Sequence, residues 1–194
     1  LKNKGIKLEK PDVNMSYNKF YINGKKLIMP LWQIKGISED LSIKIIENRK
    51  EGYTDYFDFV CKNKKILNEN ILNTLIKAEA LRSFNLNQRT LVENTKVALN
   101  FADIDDELIK KPIIIELDDY SDEVKRDNEL DSFGYFITNH PASKYQNVMK
   151  LEMTEKYLFK NIKCVVLINR ISNIKTKKNE NMAFISASDE TGTC

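Results

Sequence analysis

The sequence predicts an α+β chain, and three stretches carry that prediction. Residues 31–49 repeat apolar side chains at three- and four-residue intervals (Leu31, Ile34, Ile37, Leu41, Ile45), the period of helices that share one buried face. Residues 18–29 set Asn23-Gly24 between two short β-prone runs, the strongest two-residue signal for a hairpin. Residues 163–187 hold two longer β-prone runs separated by the polar turn Lys177-Lys178-Asn179-Glu180-Asn181.

Taken in order, Pro30 closes the N-terminal hairpin and is suited to open a first helix. The helical repeat then breaks at Lys35-Gly36-Ile37-Ser38. Gly36 can take the positive φ of a tight reversal, Ser38 can cap the next helix, and Glu39 and Asp40 suit its first turn. The stretch spells helix, hairpin, helix. A glycine turn running into a helix N-terminus offers backbone N–H groups to a phosphate oxygen, and Lys35, Lys44 and Arg49 add positive charge. The same turn also joins helices that bind nothing, so both readings stay open at this point.

Past Lys50-Glu51-Gly52, the residues Tyr53, Tyr56, Phe57, Phe59 and Val60 read as an aromatic part of the core. Asn68-Glu69-Asn70 starts a helix that buries Ile71, Leu72, Leu75 and Ile76. Ile76-Lys77-Ala78-Glu79-Ala80-Leu81 then echoes the first hairpin with small residues in place of glycine, and Asn87 opens the partner helix. Two such units can share a core that one could not supply. From Asn100 the chain turns Asp-rich, with Asp103, Asp105, Asp106, Glu107, Pro112, Asp118 and Asp119, and reads as a linker or extended interaction segment. Beside these acids, Leu99 and Phe101 fit a docking peptide with two apolar anchors, or else finish the preceding helix. Ser121 caps a helix expected over 121–139, Pro141 breaks it, and a shorter helix is expected to follow to Leu151. The two C-terminal runs, with a further turn at Asp189-Glu190-Thr191-Gly192, resemble the start of a small β-barrel of the oligonucleotide-binding kind.

Composition narrows the chemistry. With 42% hydrophobic and 30% charged residues the chain is globular rather than disordered. No run is apolar enough to cross a membrane and no signal peptide opens the chain, so a cytoplasmic location is expected. Leu1 at the start and a strand-like region at Cys194 lead to the expectation of a portion of a larger protein. Cys61, Cys164 and Cys194 lie far apart and support neither a zinc site nor a disulfide framework, and His140, before Pro141, suits a turn better than a catalytic base. Charge is divided along the chain: residues 1–65 carry 14 Lys and Arg against 8 Asp and Glu, residues 95–135 carry 5 against 12, and residues 136–194 carry 9 against 5. Two basic segments flank an acidic one, as in a chain that grips a polyanion at both ends.

Six segments occur in a telling order: Pro11-Asp12-Val13-Asn14-Met15-Ser16, Leu31-Trp32-Gln33-Ile34-Lys35-Gly36-Ile37-Ser38, Phe57-Asp58-Phe59, Leu75-Ile76-Lys77-Ala78-Glu79-Ala80-Leu81, Phe133-Gly134-Tyr135-Phe136-Ile137-Thr138-Asn139-His140-Pro141, and Thr176-Lys177-Lys178-Asn179-Glu180-Asn181-Met182-Ala183-Phe184. The set resembles the alpha subunits of bacterial DNA polymerase III, the family C replicative polymerases. The resemblance implies that residues 1–30 end the fingers region with a β-hairpin and that 31–100 form a tandem helix-hairpin-helix domain. It further implies that 101–154 are an acidic connector with helices and that 155–194 are the first strands of an oligonucleotide-binding (OB) fold.

On this resemblance the chain is expected to be a DNA-binding portion of a replicative polymerase. Lys35, Gly36, Ile37, Ser38, Lys44 and Arg49 would grip the duplex backbone, while Lys175, Lys177, Lys178 and Phe184 would lie along single-stranded template. Leu99 and Phe101 fall where the family carries a sliding-clamp docking peptide, although Lys96 or Val97 stands in place of the expected glutamine; other replisome subunits are further expected partners. Ser38 likewise replaces the hairpin's usual second glycine. The family's catalytic carboxylates and their magnesium lie upstream, so no catalytic residue, cofactor or nucleotidyltransferase activity is expected of this chain alone. Asp103, Asp105 and Asp106 receive no catalytic role, since metal-assisted phosphoryl transfer needs a rigid carboxylate pair. The alternative function is a protein-interaction module that docks a sliding clamp, with the hairpins as scaffold. A stand-alone nuclease or ligase accessory using the same hairpin is a third.

Overall fold

The computed structural model describes residues 5–104, 110–157 and 160–194. The chain divides into two compact units, Leu1–Ile137 and Thr138–Cys194. Asp105, Asp106 and Glu107, singled out above, lie outside the described residues.

The first unit begins with a small sheet of β1 (Lys7–Glu9), β2 (Tyr21–Asn23) and β3 (Lys26–Ile28) in the order β1-β3-β2. Strands β2 and β3 are the expected hairpin, pairing Tyr21 with Ile28 and Asn23 with Lys26, and Gly24 takes φ +59° in the turn. Strand β1 joins parallel to β3, a pairing between distant segments that no local pattern announces. After Pro30 the chain makes only a 3-10 turn, Leu31–Gln33, where a first helix was expected. Ile34 is already extended (φ −77°, ψ 123°), so too few residues separate Pro30 from the hairpin to close a regular helix.

Six α-helices follow in this unit among the described residues: α1 (Glu39–Arg49), α2 (Tyr56–Lys62), α3 (Glu69–Lys77), α4 (Gln88–Glu93), α5 (Thr95–Asp103) and α6 (Asp122–Phe133). Five start on a polar cap whose side chain accepts a first-turn N–H: Ser38, Asp55, Asn68, Asn87 and Ser121. Each such cap is worth about 1 kcal/mol to the helix it starts. Helix α6 stops at Phe133, before the expected 139, because Gly134 takes φ +81° and donates back to the Leu130 carbonyl at 2.7 Å.

Both hairpin copies feed one core. Leu31, Ile34 and Ile45 from the first, Leu72, Leu75, Ile76 and Leu81 from the second, and Tyr56 and Phe59 between them are each no more than 1% exposed. Polar groups inside this core are paired. The Tyr53 hydroxyl donates to the Ile45 carbonyl and accepts from Asn63 Nδ2, which also donates to the Phe59 carbonyl at 2.8 Å. Burial pushes both phenols, Tyr53 and Tyr56, up to about 12 from 10.0. A phenol whose folded pKa is raised contributes its full share of stability below the unfolded value and loses it as pH climbs through the folded one. Stability is therefore expected to hold to pH 10 and to fall between pH 10 and 12, and Tyr53→Phe with Tyr56→Phe should flatten that fall in denaturant titrations across the window.

The acidic stretch is not a loose connector. Residues 110–121 run as an extended strap along α4, whose Asn87, Thr90 and Asn94 present amide and hydroxyl groups to its backbone. Asn94 Nδ2 donates to the Ile115 carbonyl (3.0 Å) and its Oδ1 accepts from the Ile115 N–H (3.3 Å). Thr90 Oγ1 accepts from the Leu117 N–H (2.9 Å), and Asn87 Nδ2 donates to the Leu117 carbonyl (2.7 Å). Three polar side chains on one helix face thus stand in for a neighbouring strand. Ile114 turns onto the core, while Ile113 and Ile115 face outward.

Leu99 and Phe101 are also placed differently from an extended docking peptide. Both lie within α5 and pack on the core, the Phe101 ring edge-on to Phe57 at 5.4 Å. The helix keeps its register through Asp103, which turns these side chains inward.

The second unit holds the antiparallel pair β4 (Leu167–Lys175) and β5 (Asn181–Ser188), preceded by 3-10 turns at Pro141–Lys144 and Leu151–Tyr157 rather than by the expected short helix. His140 acts as a turn residue, its Nδ1 accepting from the Ala142 N–H at 3.1 Å. Among the described residues this unit's sheet has two strands, so the α+β class holds while a barrel is not part of what is seen. No helix among the described residues is long and apolar enough to cross a membrane.

Candidate nucleic-acid interface

The first hairpin is a four-residue turn closed by the Ile37 N–H on the Ile34 carbonyl at 3.0 Å. Gly36, the third residue, has φ +89°, which a side-chain-bearing residue adopts only with strain. A Cβ there would meet nothing nearer than Thr74 Cγ2 at 3.8 Å, so the backbone rather than space selects glycine. Ser38 then caps α1, its Oγ accepting from the Leu41 N–H at 3.2 Å and its carbonyl from the Ser42 N–H at 3.0 Å. Ile37 anchors the turn in the core, while Lys35, Gly36, Ser38, Glu39 and Asp40 are exposed. Among the described residues neither the Gly36 nor the Ser38 N–H has a backbone or side-chain acceptor. The N–H groups of Glu39 and Asp40 sit in the first helical turn, which has no intrahelical acceptors to offer. Four backbone donors and the positive end of α1 are therefore grouped on an exposed turn, an arrangement that attracts an anionic oxygen.

The three cations assigned to this hairpin have different surroundings. Lys44 is exposed on α1. Lys35 is exposed but tethered: its backbone N–H donates to the Ser132 carbonyl at 2.9 Å, and its Nζ lies where a Cβ on Gly134 would stand, across the C-terminal end of α6. Arg49 faces inward to the N-terminal segment, donating to the carbonyls of Ser16 (2.8 Å) and Val13 (3.2 Å), with its guanidinium 5.3 Å from the centre of the Tyr17 ring.

The second hairpin is built differently. The Ala80 N–H donates to the Leu75 carbonyl and the Glu79 N–H to the Ile76 carbonyl, both at 2.9 Å, which is a Schellman ending of α3. Its left-handed residue is Glu79, at φ +56°, rather than one of the flanking alanines that sequence reading put in place of glycine. The carboxylate of Glu79 pairs with Lys10 at 3.1 Å. A turn that carries an acid and spends its N–H groups on α3 is a poor phosphate site, so the two copies share a core but not a ligand chemistry.

In the second unit Lys177 and Lys178 occupy the exposed tip between β4 and β5, closed by Asn179 N–H on the Thr176 carbonyl at 2.9 Å, with Lys175 at the end of β4. Phe184 stands opposite Ser172 on β5 and is 61% exposed. Among the described residues no group of three or more His, Cys, Asp or Glu is arranged to hold a metal ion.

A 3-10 limb, a glycine turn and a capped α-helix make up this hairpin, and residues 5–91 match the helix-hairpin-helix motif family. More particularly, nearly the whole chain is similar to bacterial proteins named DNA polymerase III subunit alpha, as the ordered motifs implied. It is 28% identical to that of Bacillus subtilis (strain 168) over 98% of its length, and 27% identical to that of a Staphylococcus epidermidis strain over 97%. The Halalkalibacterium halodurans protein is 26% identical over 99%. The chain spans 19% of the length of each of these relatives.

Proposed function

We propose that this chain is a DNA-binding portion of a replicative polymerase alpha subunit, which holds the duplex by its backbone during replication and has no catalytic residues of its own. The observation that supports it best is the set of exposed N–H groups at Gly36, Ser38, Glu39 and Asp40 at the head of α1, flanked by Lys35 and Lys44. Ile37 serves by fixing the turn in the core, and Arg49 serves by fixing the adjoining loop. The second hairpin is scaffold. The tip lysines 175, 177 and 178, with Phe184, would guide single-stranded template as the opening strands of an OB fold. Docking of a sliding clamp through Leu99 and Phe101 has less support, because α5 would have to give up core contacts to present them.

Binding through phosphates is indifferent to sequence and releases counterions. Two or three phosphate contacts should cost about tenfold or more in affinity between 50 and 200 mM salt. Lys35→Glu with Lys44→Glu should weaken duplex binding about tenfold and flatten that salt dependence, with the far-ultraviolet circular dichroism unchanged. Fluorescence anisotropy with a labelled duplex measures both. Salt-independent binding, or an unaltered affinity in the double variant, would remove the hairpin from the interface.

A further inference from the structure

Ten consecutive residues, 17–26, are exposed, and they include three aromatic rings and an isoleucine: Tyr17 (48%), Phe20 (46%), Tyr21 (41%) and Ile22 (59%). None belongs to the buried core. Apolar side chains left so open on a small sheet invite a partner, and the way these are held narrows what it is.

The rings are fixed rather than loose. Tyr17 and Tyr21 meet edge to face at 5.0 Å, and Phe20 meets Trp32 edge to face at 6.5 Å. Trp32 in turn donates its Nε1–H to the Asn18 carbonyl at 2.8 Å. Arg49 lies against Tyr17 while clamping the Val13 and Ser16 carbonyls that lead into the loop. Tyr21 is further held by the pairing of β2 with β3. Rings pre-set in this way lose little freedom on binding, and each offers a flat face on which another ring can stack.

The charge around them selects the partner. From Val13 to Ser38 the chain holds Lys19, Lys25, Lys26 and Lys35 and not one Asp or Glu, and the carboxylate of Glu9, which reaches this run from the adjoining β1, pairs with Lys26 at 3.5 Å. A second copy of the chain would bring the same cations onto the same patch and be repelled. A strand of nucleic acid with unpaired bases supplies what the patch lacks, flat faces for the rings and phosphates for the lysines. The patch also adjoins the phosphate-binding turn, since Trp32 lies in the 3-10 turn that leads directly into it.

We propose that residues 17–26 form a stacking platform for unpaired nucleotides, with Phe20 and Tyr21 as the stacking rings and Lys19 and Lys25 as the backbone contacts. This rests on the backbone-grip reading above for its duplex neighbour. The platform receives the single strand where it leaves the duplex held by the Gly36 turn.

The test uses the 194-residue chain and three DNAs: a blunt duplex, the same duplex with a four-thymidine overhang, and the same with an abasic overhang that keeps the phosphates. The thymidine overhang should bind about tenfold more tightly than the abasic one, since stacking is lost with the bases. Trp32, the single tryptophan, should change its fluorescence on binding the thymidine overhang. Phe20→Ala with Tyr21→Ala should erase the preference for bases while leaving blunt-duplex affinity and its salt dependence intact, and Phe20→Tyr should retain the preference. Equal binding of thymidine and abasic overhangs overturns the platform, as does a double variant that weakens blunt duplex and overhang alike. Self-association in sedimentation that Phe20→Ala abolishes also overturns it, by giving the patch to a second copy. Failure of the blunt duplex to bind would count against the backbone grip alone, and oligothymidine against an abasic oligomer of equal length would then decide the platform.

Discussion

Lys10→Met is expected to lower the stability of the first unit by about 3–5 kcal/mol, the cost of removing one member of a buried ion group. Lys10 is 8% exposed, and its ammonium lies 3.1 Å from Glu79 and 3.4 Å from Glu129, whose side chain is 2% exposed. Methionine keeps the aliphatic stem and removes only the ammonium. The carboxylate of Glu129 also takes the Ile137 N–H at 3.0 Å, so it cannot turn away to water without breaking the end of the unit. The same ammonium pairs with the carboxylate of Glu79, the left-handed residue that ends α3. Chemical denaturation should show a lower midpoint with an unchanged slope. Lys10→Met combined with Glu129→Gln should be less damaging than Lys10→Met alone, a coupling a double-mutant cycle reads directly. A loss below about 1 kcal/mol would mean that this ammonium is not what compensates the buried carboxylate.

Releasing the strap is the second large effect. Thr90→Val with Asn94→Ala removes the hydrogen bonds these two side chains make to Ile115 and Leu117, and at about 1 kcal/mol for each bond the stability loss should reach about 2–4 kcal/mol. Trypsin should then cut after Lys110 several times faster than in the parent chain, the Lys111–Pro112 bond being resistant to it. Lys111 is held to Asp55 at 2.5 Å, Ile114 packs inward and Asn87 still donates to the Leu117 carbonyl, so these are the contacts that would remain. Unchanged cleavage would show that they, and not Thr90 and Asn94, hold the strap.

The candidate site was legible to an unequal degree. Gly36 and Ser38 could be read because their roles are local: a positive φ and a first-turn cap depend on residues within four positions. The proposed ring platform is not legible from the chain, although the acid-free run from Val13 to Ser38 is visible in the sequence. Its rings sit outside any helical or strand period, and only Trp32 and Arg49, reaching back from later elements, fix them. Arg49 was read as a phosphate contact for the converse reason: its charge is visible in the sequence, but its acceptors, the Val13 and Ser16 carbonyls, are more than thirty residues away.

By itself the sequence determined the α+β class, the β2–β3 hairpin, the starts of four helices at Ser38, Asn68, Asn87 and Ser121 and the shared core, because each follows from local backbone preference or apolar period. The tertiary structure decided that the first limb of the hairpin is a 3-10 turn, that Glu79 carries the second turn, and that the acidic stretch is a strap rather than a linker. It also tied Lys35 to the end of α6, nearly a hundred residues away. The strap, the Lys35 tie and the ion pair of Glu79 with Lys10 have one physical reason: they are satisfied by hydrogen bonds and ion pairs between distant segments. Such pairings leave no periodic trace in the chain, and they form only when the core has brought those segments together.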